Sequence, residues 1–225
     1  MLEPIRHILS RQVNILASGS PRRKDILHSV GFPFEVIPSK FDENLDKKTF
    51  SHPCEYVKET AKQKAIEVWN RMSNNKEKKP DLVIGADTVV TLDGEIYGKP
   101  NDKDDAIRIL TKLSGQKHTV FTGVALVMKM TQTGASSSAG DGVAGDNQDY
   151  VVTTFHEATD VYMTEMTPTI INHYVNTSEP MDKAGGYGIQ GIGGTLIEGI
   201  KGDYFNVMGM PLHRLSKELY HMYME

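Results

Sequence analysis

Three groups of residues in this 225-residue chain have the types and spacing to act on a polyanion. The first is Arg22-Arg23-Lys24, directly after the stretch Ala17-Ser-Gly-Ser-Pro21. Ser20 suits a helix N-cap and Pro21 the first helical position. A helix N-terminus carries partial positive charge, so three successive cations sit at its unfavourable end. Two readings stay open. The run is a solvated surface, or backbone N–H groups, the helix dipole and guanidinium forks converge there on a phosphate-like anion. On the second reading the cations slightly destabilise the empty protein, and Arg23→Glu should be as stable as the parent or more so.

The second group is lysine. Lys64 falls three residues after Ala61 and seven after Val57, on or beside the apolar stripe of a long helix. It either snorkels from the stripe edge or turns inward, where it needs an anionic partner. Lys99, next to Pro100, can point into the same cleft. The third group is acidic. Asp87 follows the apolar stretch Val83-Ile-Gly-Ala86, read as a strand that ends in a small turn. Ligands of open α/β sheets gather at carboxyl ends of strands, so Asp87 is a candidate catalytic acid or base, with a local turn-former as the alternative. Asp42, Glu43 and Asp182 lie in or near loops, and any of them could join Asp87 at a magnesium ion.

The elements that must position these residues follow from periodicity. Strands are expected at Val13–Ser18, Phe34–Ser39, Asp81–Leu92, His118–Met130 and Tyr150–Met163, with a last one at Thr195–Ile200. Helices are expected from Ser20 to about Val30, from Pro53 through Met72, from Asp102 to Leu113, from Thr167 to Asn176, and over Pro211–Met224. Asp93-Gly94 signals a tight hairpin. The small, polar, glycine-rich stretch 131–149 reads as a disordered hairpin tip, and residues 1–12 as a leader. Strands and helices alternate around one antiparallel hairpin, so the class is α/β with a mixed sheet, in a single domain spanning 1–225.

Composition narrows the partners. A net charge of −4 argues against a general nucleic-acid binder. Arg6, His7, Arg11 and Gln12 interrupt the N-terminal apolar residues, and no stretch is long enough to span a bilayer, so a soluble, cytoplasmic protein is expected. The single cysteine, Cys54, allows no intrachain disulfide. Two phosphate-loop look-alikes fail. Gly94 to Lys99 is one residue short of a Walker loop and runs into Pro100. Gly186-Tyr-Gly188-Ile-Gln-Gly191 matches a dinucleotide fingerprint by letter, but neither follows a strand nor opens a helix.

The fragments ASGSPRR, ETAKQKA, VIGADT, GKP, LSGQKHTVFTG, EPMDKAGGYGIQG and GDYFNVMGMP, in this order within the stretch between Val13 and Leu215, resemble the Maf-like nucleoside triphosphate pyrophosphatases. The resemblance implies a mixed β-sheet with flanking helices, similar to the inosine triphosphate pyrophosphatases, with a cleft between two lobes and a homodimer. It implies hydrolysis of nucleoside triphosphates to monophosphate and pyrophosphate with a divalent metal, Mg2+ or alternatively Mn2+ or Co2+. The family's proton acceptor falls on Asp87. Its phosphate-contacting positions fall on Ser18, Arg22, Arg23, Lys64 and Lys99, and Glu43 is similar to a further active-site position beside the metal. Arg22, Thr88 and Gln190 match the branch acting on dTTP and UTP rather than the one acting on N7-methyl-GTP. The Gln190 amide could pair with the donor and acceptor of a uracil-type imide. A nucleotide-binding regulator without turnover would need the same basic pocket, but not a carboxylate at Asp87 facing a tetra-anion.

Overall fold

The computed structural model describes residues 1–75, 78–130 and 149–224, so all of the glycine-rich stretch except Asp149 lies outside the described residues. A short helix α1 (Arg6–Leu9) precedes β1 (Asn14–Leu16), and α2 (Pro21–Ser29) follows. Next come β2 (Glu35–Val36), the long helix α3 (Pro53–Ser73), β3 (Leu82–Leu92) and β4 (Glu95–Tyr97). Helix α4 (Lys103–Leu113) leads into two long strands, β5 (Lys117–Lys129) and β6 (Tyr150–Met163). The chain ends with α5 (Pro168–Asn176), β7 (Ile197–Lys201), α6 (Tyr204–Met208) and α7 (Leu212–Met224).

The seven strands form one mixed sheet in the order β2-β1-β3-β5-β6-β7, with β4 hairpinned onto β3. β1 is parallel to β2 and β3, and every other pair is antiparallel. The hairpin turn has Asp93 at φ 51° and Gly94 at φ 81°, the paired positive values that a two-residue turn between twisted strands demands.

One edge of β3 is interrupted. β1 pairs with Leu82, Val83 and Ile84, while β4 pairs with Val90, Thr91 and Leu92. Between them, residues 85–89 have no partner strand on that side, although the other edge is paired with β5 from Leu82 to Thr91. The sheet therefore contains a notch with a continuous floor.

Packing follows the two-residue alternation of β3. Leu82, Ile84 and Ala86 join α2 and α7 in one core cluster, while Val83 meets Ala61, Ala65 and Val68 of α3 on the opposite face. Helix α3 lies unusually close to the sheet. A Cβ at Gly85 would stand 2.2 Å from the Ala61 carbonyl oxygen, and one at Gly123 would stand 2.4 Å from the Val57 backbone. Beyond the notch, a second cluster gathers Val90, Leu110, Val161 and Tyr174 beneath α4 and α5.

Several expectations need correction. Residues 1–12 pack onto the fold, with Ile5 and Leu9 fully buried in the first core cluster beside α7. The first two strands are shorter than their apolar runs, and the last begins at Ile197 because Thr195 and Leu196 belong to a 3-10 turn. Helix α6 is too short for any period to announce it. It is capped by Asp203, which accepts from the Phe205 amide at 2.8 Å, and stopped by Gly209 at φ 106°.

Candidate functional site

A cavity of about 650 Å³ opens at the notch. Its walls include Ser18, Arg22, Arg23, Glu43, Lys64, Asp87, Thr88, Lys99 and Gln190, whereas Lys24 and Asp42, also singled out from the sequence, do not line it. Asp87 does not end a strand, however. It lies mid-way along β3, opposite Gly123 of β5, and it is accessible because the neighbouring strand is missing there. Asp87 and Thr88 consequently project from opposite faces of one strand.

On the α3 face, Lys64 turns inward. Its Nζ lies 2.8 Å from Asp87 Oδ1 and 2.9 Å from Glu43 Oε2. Both Lys64 and Asp87 are under a tenth exposed. The two close-approach glycines explain the meeting, since any side chain at Gly85 or Gly123 would lift α3 and its lysine off the sheet. Tyr56, two helical turns before Lys64, lines the same wall, and burial together with the charge of Asp87 pushes its phenol above the ordinary range. Of the loop carboxylates, only Glu43 reaches Asp87's partner. Asp42 instead accepts from the Asn44 amide at 2.9 Å.

On the α2 face, the cation run divides. Arg22 and Arg23 line the cavity, whereas Lys24 is exposed and outside it. Ser20 occupies the N-cap position but makes no side-chain cap bond. Arg23 is far from a loose surface charge. Its Nε donates to the Gly209 carbonyl at 2.7 Å, Nη1 to Ser18 Oγ at 3.0 Å and Nη2 to Thr88 Oγ1 at 3.0 Å. Thr88 continues to Thr122 at 3.0 Å, and Thr122 donates to the Asn206 carbonyl at 2.9 Å. Burial lowers the Arg23 pKa, with the charge of Asp87 pulling the other way. Arg23 thus ties α2 to β3 and to the residue that stops α6, so its replacement removes three hydrogen bonds from the empty site, a cost that the reading of Arg23→Glu as neutral or slightly stabilising did not include.

Arg22 crosses to the opposite wall, where Nη1 donates to Asp182 Oδ2 at 2.8 Å and Nη2 to the Asp182 carbonyl at 3.2 Å. Burial pushes the Asp182 carboxyl up, but hydrogen bonds from Lys183 and Arg22 outweigh it and hold the group below its usual range. Asp182 thus serves cations of the protein rather than sitting beside Asp87. Lys99 is exposed on this wall, with no ion pair among the described residues. Lys47 also lines the cavity, 3.4 Å from the Ile96 carbonyl and 6.0 Å from the Tyr56 ring centre. Nothing in the loop around Lys47 distinguished it in the sequence. Tyr56 and Thr60, by contrast, precede Lys64 at four-residue intervals, a face that could have been read.

Among the described residues, no group of three or more His, Cys, Asp or Glu converges as a ready-made metal cage, and no helix is long and apolar enough to cross a membrane. Asp87 and Glu43, drawn together on one lysine, are the oxygen donors that a hard divalent cation would find here.

A human (Homo sapiens) protein named "Probable bifunctional dTTP/UTP pyrophosphatase/methyltransferase protein" is 48% identical over 97% of this chain, which spans only 33% of that protein's length. Proteins named dTTP/UTP pyrophosphatase from Clostridium perfringens (strain 13 / Type A) and Acetivibrio thermocellus are each 44% identical. They cover 91% and 90% of this chain, and 94% and 91% of their own lengths. The family model described as Maf-like protein matches residues 14–222, nearly the whole chain, and the chain belongs to that family.

Proposed function

We propose that this chain hydrolyses dTTP and UTP to the monophosphate and pyrophosphate. The observation that carries the reading is the buried Lys64, held between Asp87 and Glu43 in a cavity whose other walls bring Arg22, Arg23, Lys47 and Lys99. A pocket built only to hold a triphosphate would have no use for two carboxylates. A water oxygen attacks the α-phosphorus, the bond from that phosphorus to the bridging oxygen breaks, and pyrophosphate leaves. Asp87 is the group that orients the water and takes its proton. Its Oδ1 is fixed by Lys64, while Oδ2 has no hydrogen-bond partner among the described residues. The cations lie around the cavity before any substrate enters, so they neutralise developing charge with little reorganisation.

The acidic pair fits a divalent metal, since Mg2+ characteristically takes one or two carboxylates together with substrate phosphates. Asp87 and Glu43 would hold it, and when bound it would supply Lewis-acid stabilisation of phosphate oxygens. Gln190, exposed on the far wall, would read the imide edge of the pyrimidine. A homodimer belongs to the same proposal and is supported by the family resemblance.

Assaying purified protein against a panel of triphosphates with Mg2+ tests the reading. Pyrophosphate should appear from dTTP and UTP faster than from ATP or GTP. Release of orthophosphate instead would place cleavage at the γ-phosphorus and overturn the mechanism.

A further inference from the structure

The glycine-dense segment carrying Gln190 is organised around a group that the proposed reaction does not use. Glu179 stands at the start of a 3-10 turn after α5, and its carboxylate accepts three hydrogen bonds, two from that segment and one from α5. Oε1 accepts from the Gly193 amide at 2.9 Å and from the Tyr174 hydroxyl at 3.0 Å, while Oε2 accepts from the Ile192 amide at 3.1 Å. The same Tyr174 oxygen accepts from the Gly188 amide at 3.1 Å. Backbone on both sides of Gln190 is thereby tied to one carboxylate–phenol pair.

The glycines record how tightly the segment wraps. A Cβ at Gly193 would lie 2.4 Å from the Tyr174 hydroxyl, and one at Gly191, already at φ +78°, would lie 2.9 Å from Glu179 Oε2. Of the three glycines that imitate a dinucleotide fingerprint, Gly191 is thus required where the loop closes on Glu179, whereas a Cβ at Gly188 would meet the Lys183 side chain at 2.6 Å and Gly186 sits at φ +70°. Tyr174 is 3% exposed and packed in the second core cluster, so the anchor itself is rigid. Gln190 is left exposed at the cavity wall, with its flanks fixed and its amide available.

We propose that Glu179, acting with Tyr174, is a positioning residue for base recognition: it fixes the backbone on either side of Gln190 and so sets the nucleotide preference. This rests on the reading of Gln190 as the group that meets the pyrimidine. Aligning an amide with an imide edge requires a defined backbone, and a loop released from its anchor samples orientations that discriminate poorly.

The test compares Glu179→Gln, Tyr174→Phe, Gln190→Ala and the double variant E179Q/Q190A, using dTTP, UTP, ATP and GTP. Glutamine keeps the size of Glu179 but offers one acceptor oxygen and sets an NH2 against a backbone amide. In Glu179→Gln the preference of kcat/KM for dTTP over GTP should fall about tenfold, the scale of a lost hydrogen bond to a charged group. KM for dTTP should rise with a smaller change in kcat, and the double variant should discriminate no worse than Gln190→Ala. Should Glu179→Gln fail to fold, Tyr174→Phe carries the same comparison. If Gln190→Ala loses the preference while both anchor variants keep it, the positioning role is overturned and the base-reading role stands. An equal loss on all four nucleotides also overturns the positioning role, leaving Glu179 a framework residue. If Gln190→Ala retains the preference, the base-reading role fails and the inference falls with it.

Discussion

Asp87 and Arg23 lie on either side of β3 and are fixed by opposite kinds of partner. Asp87 meets one buried ammonium group, whereas Arg23 spends all three guanidinium nitrogens on neutral oxygens. Asp87→Asn should fold and lose turnover by roughly 10²- to 10⁴-fold, the scale of a positioned acid–base group. Its melting temperature should still rise on adding dTTP, because the cations remain. Turnover near the parent's would return Asp87 to a structural part. Arg23→Glu breaks three hydrogen bonds and sets a carboxylate near Asp87, so the empty protein should lose about 3 kcal/mol in denaturant unfolding. Unchanged stability would show that the Arg23 bonds to Gly209, Ser18 and Thr88 carry no weight. His118 supplies a pH dependence. It is 2% exposed, 2.6 Å from the Tyr187 hydroxyl, and burial pushes its pKa from 6.5 down to about 4. The unfolded imidazole takes up a proton as pH falls through 6.5, while the folded one resists until about 4. Stability present above the upper value is therefore lost across that window, by roughly 3 kcal/mol. The His118→Gln variant should show a shallower acid slope in its unfolding midpoint.

At the scale of elements, the decisive contact is α3 on β3 and β5. Gly85→Ala or Gly123→Ala places a methyl inside backbone van der Waals distance, and each should destabilise by about 1–3 kcal/mol while displacing Lys64 from Asp87. Both losses should appear, as a lower unfolding midpoint and a lower turnover. A variant that loses neither would mean that α3 can shift without consequence. The same contact explains what could be read from sequence and what could not. Helix α3 was legible because Pro53 opens it and its apolar stripe recurs at helical spacing; α4 was legible because Asp102 caps it, accepting from the Asp105 amide at 2.8 Å. Gly85 and Ala86, however, look like a turn before Asp87. Gly85 is small because α3 passes over it at the Ala61 carbonyl, a fact that belongs to a residue more than twenty positions earlier, while Ala86 faces the other core cluster. Arg23 was similarly opaque, for its acceptors at Thr88 and Gly209 lie 65 and 186 residues away. Local spacing shows the charge on a side chain, but not which distant carbonyl will hold it.

For the molecule as a whole, dTTP should raise the melting temperature of the parent in proportion to the logarithm of its concentration above the dissociation constant, since the cavity exists only in the folded chain. A nucleotide-independent melting temperature would mean that the cavity does not bind it. Strand β5 adds a consequence of another kind. It is paired along almost its full length on both edges, with β3 from Thr119 to Met128 and with β6 from Lys117 to Lys129. It therefore runs beneath the notch from one core cluster to the other. A cleft whose two sides share such a strand has no place to bend. In deuterated water the amides from Thr119 to Val127 should exchange last and together, at the rate of global opening, while those of the turns around Gln190 exchange earlier. Adaptation to a new nucleotide would then be confined to the rim, where a residue can change without disturbing the strand on which both walls depend.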